Sequence, residues 1–255
     1  MSLSRMPAVF IGHGSPMNAI TDNPFRRAWA ALGRELPKPR AVLCISAHWE
    51  TPTPRVCAVA QPETIHDFGG FPAELFAVRY PAPGSPALAQ QVAALSAGTV
   101  EPDLRWGLDH GAWQVLMHLF PQADVPVAQL SLPRAYTPRQ HADLARSLAP
   151  LRDEGIMVIG SGNIVHNLRL LAPGGVTPEW ASDFDAAVAD AIEQRDLEAL
   201  ADYRNFPGAA QAVPTPEHYW PLLYVMAMAA PDEPLQMFNT AYDWGSISMR
   251  SLRVG

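Results

Sequence analysis

The stretch VPVAQLSLPRAYTPRQHADLARSLAPLRDEGIMVIGSGN, Val125–Asn163, decides the fold. Val125 to Leu130 is an apolar run of strand length. Thr137-Pro138 then offers an N-cap and a first-turn proline for a helix reaching about Leu151. Gly155 to Ile159 is a second apolar run, closed by Gly160-Ser161-Gly162-Asn163. Strand, helix and strand in alternation predict an α/β fold with a mostly parallel central sheet flanked by helices.

The pattern extends in both directions. Pro7 to Ile11 and Arg40 to Ala47 read as buried strands, the first stopping at Gly12-His13-Gly14 and the second at His48-Trp49-Glu50. Helices are expected from Thr21 or Asp22 to Leu32, Pro86 to Leu95, Ala112 to Leu119, Trp180 to Gln194 and Asp196 to Tyr203. A further helix after Pro214-Thr215-Pro216 should carry Glu217-His218 near its start. Leu235 to Asn239 and Ser246 to Leu252 should be the last strands. Thr51 to Gly84 is rich in Pro and Gly, and irregular segments of that length in compact proteins usually carry function. With no repeat and no linker, a single domain over residues 1–255 is expected.

Composition narrows the function. With 18 basic and 25 acidic residues the formal charge is −7, a poor match to nucleic acid, whose binding draws on phosphate neutralisation. Lys38 is the only lysine and lies between two prolines, which suits neither a Schiff base nor a P-loop. Cys44 and Cys57 form no CxxC pair, too little for a thiolate zinc site. The first apolar run is too short for a signal peptide, and Tyr219 to Ala230 is too short to span a bilayer. A cytoplasmic protein without membrane partners is the expectation.

The histidines are more informative. His13, His48 and His166 each follow a predicted strand, at the carboxyl edge where open α/β sheets bind ligands. Three imidazoles at one edge suit zinc, iron, copper or nickel, and His218 is placed to join them. His118 and His141 sit on predicted helices and read as structural or solvated. GxSxG and HExxH are absent. Trp49, Phe68, Phe71 and Tyr219 neighbour candidate histidines and could wall a slot for a flat ring.

Six ordered strings, GHGSPMN (Gly12–Asn18), SAHWE (Ser46–Glu50), TIHDFGGFP (Thr64–Pro72), WGLDHGAW (Trp106–Trp113), GSGNIVHNL (Gly160–Leu168) and PTPEHY (Pro214–Tyr219), resemble the class III extradiol ring-cleavage dioxygenases. Within them the match is to the bacterial branch related to enzymes of plant betalain synthesis. The resemblance implies cleavage of a catechol, DOPA-like or caffeate-like, by O2 to a muconic semialdehyde. It implies a non-haem Fe(II) site with His13 and His48 as ligands and His218 as the third, Glu217 being the alternative because the wider family uses a glutamate there. An all-nitrogen site would also accept Zn(II), so zinc could occupy it as purified. By the same resemblance His166 is the active-site base and a possible fourth ligand, and His110 contacts substrate or oxygen. Asp67 is expected to hold a loop over the site, and Ser161 or Asn163 to orient His166. The competing reading is a non-enzymatic metal- or ligand-binding protein on the same fold.

Overall fold

A computed structural model describes residues 5–255. Among these residues the strands are β1 (Ala8–Gly12), β2 (Ala41–Thr51), β3 (Arg55–Cys57), β4 (Glu101–Asp103), β5 (Val127–Pro133), β6 (Ile156–Gly162), β7 (Leu235–Phe238), β8 (Tyr242–Asp243), β9 (Ile247–Ser248) and β10 (Ser251–Val254). The helices are α1 (Pro24–Glu35), α2 (Ala73–Ala77), α3 (Pro86–Leu95), α4 (His110–Leu119), α5 (Pro138–Leu148), α6 (Glu179–Glu193), α7 (Leu197–Ala201), α8 (Ala209–Ala212) and α9 (Trp220–Ala227). The main sheet runs β4-β3-β5-β2-β6-β1-β10-β7, and β8 pairs with β9 separately. β5, β2, β6 and β1 are mutually parallel, and β10 closes antiparallel on β1. The expected α/β architecture is therefore present.

Side chains alternate across this sheet, and both faces are covered. Phe10, Leu43, Ile45 and Val158 pack on one side with residues of α3, α5, α6 and α9. Val9, Ile11, Val42, Cys44 and Ile159 pack on the other with Trp29 of α1 and Trp113 of α4. Burial on both faces is why these strands read as unbroken apolar runs. Each fully buried large apolar side chain contributes about 1.5–3 kcal/mol.

Several boundaries differ from the sequence reading, for local reasons. The α5 helix stops at Leu148 and tightens into a 3-10 turn over Ala149–Glu154, because Pro150 has no N–H to continue the ladder. α9 starts at Trp220, so Glu217 and His218 lie in the turn before it rather than inside it. Proline in its first turn suits that start. Ser246 to Leu252 divides into β9 and β10, with Met249 between them donating its N–H to Ala241 O at 3.0 Å. β3 and β4, three residues each, were too short to read. The β2 strand runs through His48 to Thr51 rather than ending there. Its pairing with β5 jumps from Ile45↔Leu130 to Glu50↔Leu132. His48 thus sits in a bulged segment, the kind of irregularity that re-aims a side chain.

Among the described residues no helix is long and apolar enough to cross a membrane.

Candidate metal centre and active site

His13 follows β1 directly, its N–H bonded to Gly162 O at 2.9 Å. His48 projects from the β2 bulge, and His110 opens α4, capped by Asp109. His166 lies in the loop after β6, with its N–H on Ala212 O at 2.9 Å. His218 reaches the same place because its carbonyl packs against β6. A Cβ on Gly162 would stand 2.1 Å from His218 O, so only glycine admits this approach. The five rings converge: His13 lies 5.1 Å from His48, 5.7 Å from His110 and 5.3 Å from His218 between centroids. His48 and His110 are 3.9 Å apart, and His166 stacks on His218 at 3.5 Å with planes 8° apart.

Polar contacts at the outer nitrogens fix which atoms face inward. Ser161 Oγ donates to Gly111 O at 2.6 Å, so it accepts from His13 Nδ1 at 2.9 Å. The Asp67 carboxylate faces His48 Nδ1 at 3.5 Å and accepts from His110 Nδ1 at 2.9 Å. Glu217 Oε1 accepts from His218 Nδ1 at 3.1 Å. With Nδ1 protonated, each Nε2 presents a lone pair. His13 Nε2 and His48 Nε2 are 3.2 Å apart, the spacing of two ligand atoms each about 2.1 Å from one ion. His218 Nε2 is buried and has no hydrogen-bond partner. Converging neutral nitrogens with one left orphaned fit a borderline transition metal such as Fe(II) or Zn(II). Two groups have ligand atoms within 4.8 Å of one another: His13, His48 and His110, and His166, Glu217 and His218.

Burial holds four of these imidazoles, those of His13, His48, His166 and His218, neutral. It pushes His48 down to about 3 and His166 to about 4, with the neighbouring His110 adding to both shifts. His13 and His218 also fall well below the usual 6.5, first through burial and then through adjacent imidazoles. No proton then has to be displaced for a metal to bind at neutral pH.

The supporting residues are partly those expected. Asp67 carries both His48 and His110, and its Oδ1 accepts from the His110 N–H at 2.8 Å, so it ties the Thr51–Gly84 segment to the site. Ser161 and Asn163 do not orient His166. Ser161 holds His13, and Asn163 accepts from Gly14 N at 3.2 Å and donates to Ser248 O at 2.8 Å. Register explains this: Ile11 pairs with Ser161 and Gly12 with Gly162, so those side chains meet the end of β1. Of the four aromatics singled out, Phe68 and Phe71 reach the site. Trp49 stacks on Trp106 at 5.1 Å, and the buried Tyr219 donates its hydroxyl to Leu200 O at 3.1 Å.

Sequence reasoning missed an inner layer. Asp109 is fully buried, accepts from Ser46 Oγ at 2.6 Å and from Gln129 Nε2, and is pushed up to about 6 by burial and then by Asp67. Gln114 donates to His13 O at 2.8 Å and Ser15 O at 3.0 Å. An acidic residue before a predicted helix was a visible signal for Asp109. Gln114 and Gln129, polar residues within apolar runs, were visible too.

Over the histidines lies a cavity of about 410 Å³. Its opposite wall is apolar, made by Phe68, Phe71, Leu168, Leu171, Trp244 and Ile247. A second cavity, 430 Å³, lies between α1 and the end of α4, but His118 is its only histidine and that ring is bonded to Asn18 O at 3.1 Å.

His118 and His141 are structural. Burial lowers His118 to about 4, with Arg26 assisting, and lowers His141 to about 3. Below the usual 6.5 the unfolded chain takes up these protons while the folded one does not. Stability is therefore complete above 6.5 and falls as pH drops from 6.5 towards 4, by about 1.4 kcal/mol per unit and per histidine. The urea midpoint of the metal-free protein is expected to be level from pH 7 to 8 and to decline steeply below 6.5. In His141→Gln the decline should be shallower.

Residues 4–245 match the family described as the catalytic LigB subunit of aromatic ring-opening dioxygenase. The chain is 46% identical to 4,5-DOPA dioxygenase extradiol of Escherichia coli (strain K12), covering 100% of this chain and 97% of the relative. It is 41% identical to 4,5-DOPA dioxygenase extradiol of Beta vulgaris, over 96% of this chain and 94% of that one. The crystal structure of an uncharacterized protein from Escherichia coli K12 superposes with a TM-score of 0.86 at 41% identity, covering 98% of this chain and 100% of the other. With every histidine-bearing segment and all of the main sheet but β10 inside the matched range, the chain belongs to the LigB family of aromatic ring-opening dioxygenases.

Proposed function

We propose that residues 1–255 form one catalytic domain, a non-haem, metal-dependent extradiol dioxygenase that opens the ring of a catechol with O2 to give a muconic semialdehyde. The observation that carries this reading is the partnerless Nε2 of buried His218 beside the facing Nε2 atoms of His13 and His48. His13, His48 and His218 would hold Fe(II), or Zn(II) in a sample as purified. Glu217 is the anchor rather than the ligand, since its Oε1 is engaged by His218 and by Thr215 Oγ1 at 2.8 Å. When bound, Fe(II) supplies a centre at which a chelated catechol and O2 can react.

The protein supplies the rest. His166, neutral and at the edge of the cavity, accepts a catechol proton on its imidazole and returns it to the product later. His110, held through Nδ1 and its backbone N–H by Asp67, keeps a fixed ring facing the cavity. The apolar wall positions the flat ring and excludes water.

Anaerobic loading with Fe(II), followed by air and a catechol panel that includes L-DOPA, tests this reading. Stoichiometric metal, oxygen uptake and a yellow semialdehyde are expected together, and His218→Ala should lose the metal. Full metal occupancy with no uptake on any catechol would return the chain to the binding-protein reading.

A further inference from the structure

An aspartate just before a helix ordinarily serves as its cap, a task it can perform at the surface. Asp109 caps α4 through Oδ1, which accepts from Ala112 N at 3.1 Å. Yet Asp109 is fully buried, a costly place for a carboxylate unless several donors meet it. The other donors come from the sheet. Ser46 Oγ on β2 donates to Oδ1 at 2.6 Å, and Gln129 Nε2 on β5 donates to Oδ2. Gln129 Oε1 accepts in return from the Asp109 N–H at 3.3 Å.

These bonds lead on to the histidines. Ser46 Oγ accepts from the His48 N–H at 3.2 Å, inside the stretch where β2 loses its register with β5. His110 follows Asp109 directly and opens α4. In the same turn Gly111 O accepts from Ser161 Oγ, the partner of His13 Nδ1. That turn is pressed against β2: a Cβ on Gly111 would stand 2.5 Å from Ser46 Oγ and 2.9 Å from His48 Cδ2. Across this contact the His48 and His110 rings stand 3.9 Å apart between centroids.

We propose that Asp109 is a positioning residue. Through Ser46 and Gln129 it seats the first turn of α4 on the sheet, and so sets His48, on the metal side, against His110, beside the cavity. The proposal rests on the metal-centre reading above and adds to it a residue that touches neither metal nor substrate. Its hydrogen bonds carry the role. In Asp109→Asn the new amide faces the Gln129 amide, and turning Gln129 round would set its NH2 against the backbone N–H of position 109 instead. Asp109→Asn combined with Gln129→Glu restores each donor–acceptor pair, because a glutamate there accepts from both the amide and that N–H.

The test titrates Co(II) into the metal-free protein and its variants, at a temperature where circular dichroism shows each to be folded, and reads affinity and the visible d–d spectrum. Asp109→Asn is expected to bind Co(II) about 10–100-fold more weakly, the usual effect of losing a partner that orients a ligand, with an altered spectrum. The double variant should return both close to those of the unaltered protein. A helix cap alone would lower the melting temperature and leave the spectrum of the folded protein as it was. Unchanged affinity and spectrum in folded Asp109→Asn would overturn the proposal, as would a folded double variant as impaired as the single one. Should Asp109→Asn not fold, Ser46→Ala, which cuts the link from Asp109 to the His48 N–H, decides: an altered spectrum supports the proposal and an unaltered one overturns it. If the unaltered protein takes up no Co(II), the metal-centre reading fails and the proposal with it. If it binds Co(II) but its Fe(II) form opens no catechol, only the dioxygenase reading fails, and the comparison of variants still decides.

Discussion

Replacing His166 by alanine is expected to lower kcat by about 10²–10⁴, the usual worth of a positioned general base, while leaving the protein folded and loaded with metal. The ring stacks on His218 at 3.5 Å, but none of the polar contacts that set the inward nitrogens of His13, His48 and His218 involves it. Those three imidazoles keep their anchors on Ser161, Asp67 and Glu217 in the variant. The catechol has the same apolar wall to lie against, so its binding should change far less than its turnover. Metal content, circular dichroism and kcat together check the assignment. A kcat within tenfold of the unaltered protein would move the base to another group, with His110 the next candidate. Loss of the metal would instead make His166 a ligand.

The second large effect concerns stability. Arg152 is fully buried. It donates to Met6 O at 2.7 Å and Met228 O at 2.7 Å, and reaches both carboxylate oxygens of Glu233 at 2.8 and 2.5 Å. It therefore stitches the entry to β1, the chain after α9 and the approach to β7. Arg152→Ala strands a carboxylate that is only 12% exposed, along with carbonyls that water cannot reach. Breaking one side of a buried pair costs about 3–5 kcal/mol. The expected fall in melting temperature is roughly 6–20 °C at the 2–4 °C per kcal/mol of a chain this size. Arg152→Met combined with Glu233→Leu should recover much of the loss, because it removes the charge that the single change leaves unpaired. An Arg152→Ala protein that melts within 3 °C of the unaltered one would mean that Arg5, 3.4 Å from Glu233, takes over the carboxylate.

Much of this molecule was legible in its sequence because the central strands are buried on both faces. Val42 to Ile45 and Ile156 to Ile159 present apolar residues at every position, and such runs can be located without knowing their neighbours. His13 was readable for the same reason, since it follows the glycine that ends β1. The position of His48 was harder. Strand length does not reveal a bulge, and the jump from Ile45↔Leu130 to Glu50↔Leu132 exists only once β5 is alongside. The partners of Ser161 and Asn163 also depend on register, which fixes them against the end of β1 rather than beside His166. Arg152 gave no signal at all. Within the tail of an amphipathic helix an arginine reads as solvated, and its burial follows from segments far away in the chain.

The pairing of β1 with β10 also sets a clock. Gly12, adjacent to His13, donates to Ser251 Oγ across 239 residues of chain. At translation rates of 5–20 residues per second, roughly 10–50 s pass between the emergence of these two partners from the ribosome. Through that interval Val9, Phe10 and Ile11 have no sheet edge to join on the β10 side, so that edge of β1 stays unpaired until Ser251–Val254 have emerged.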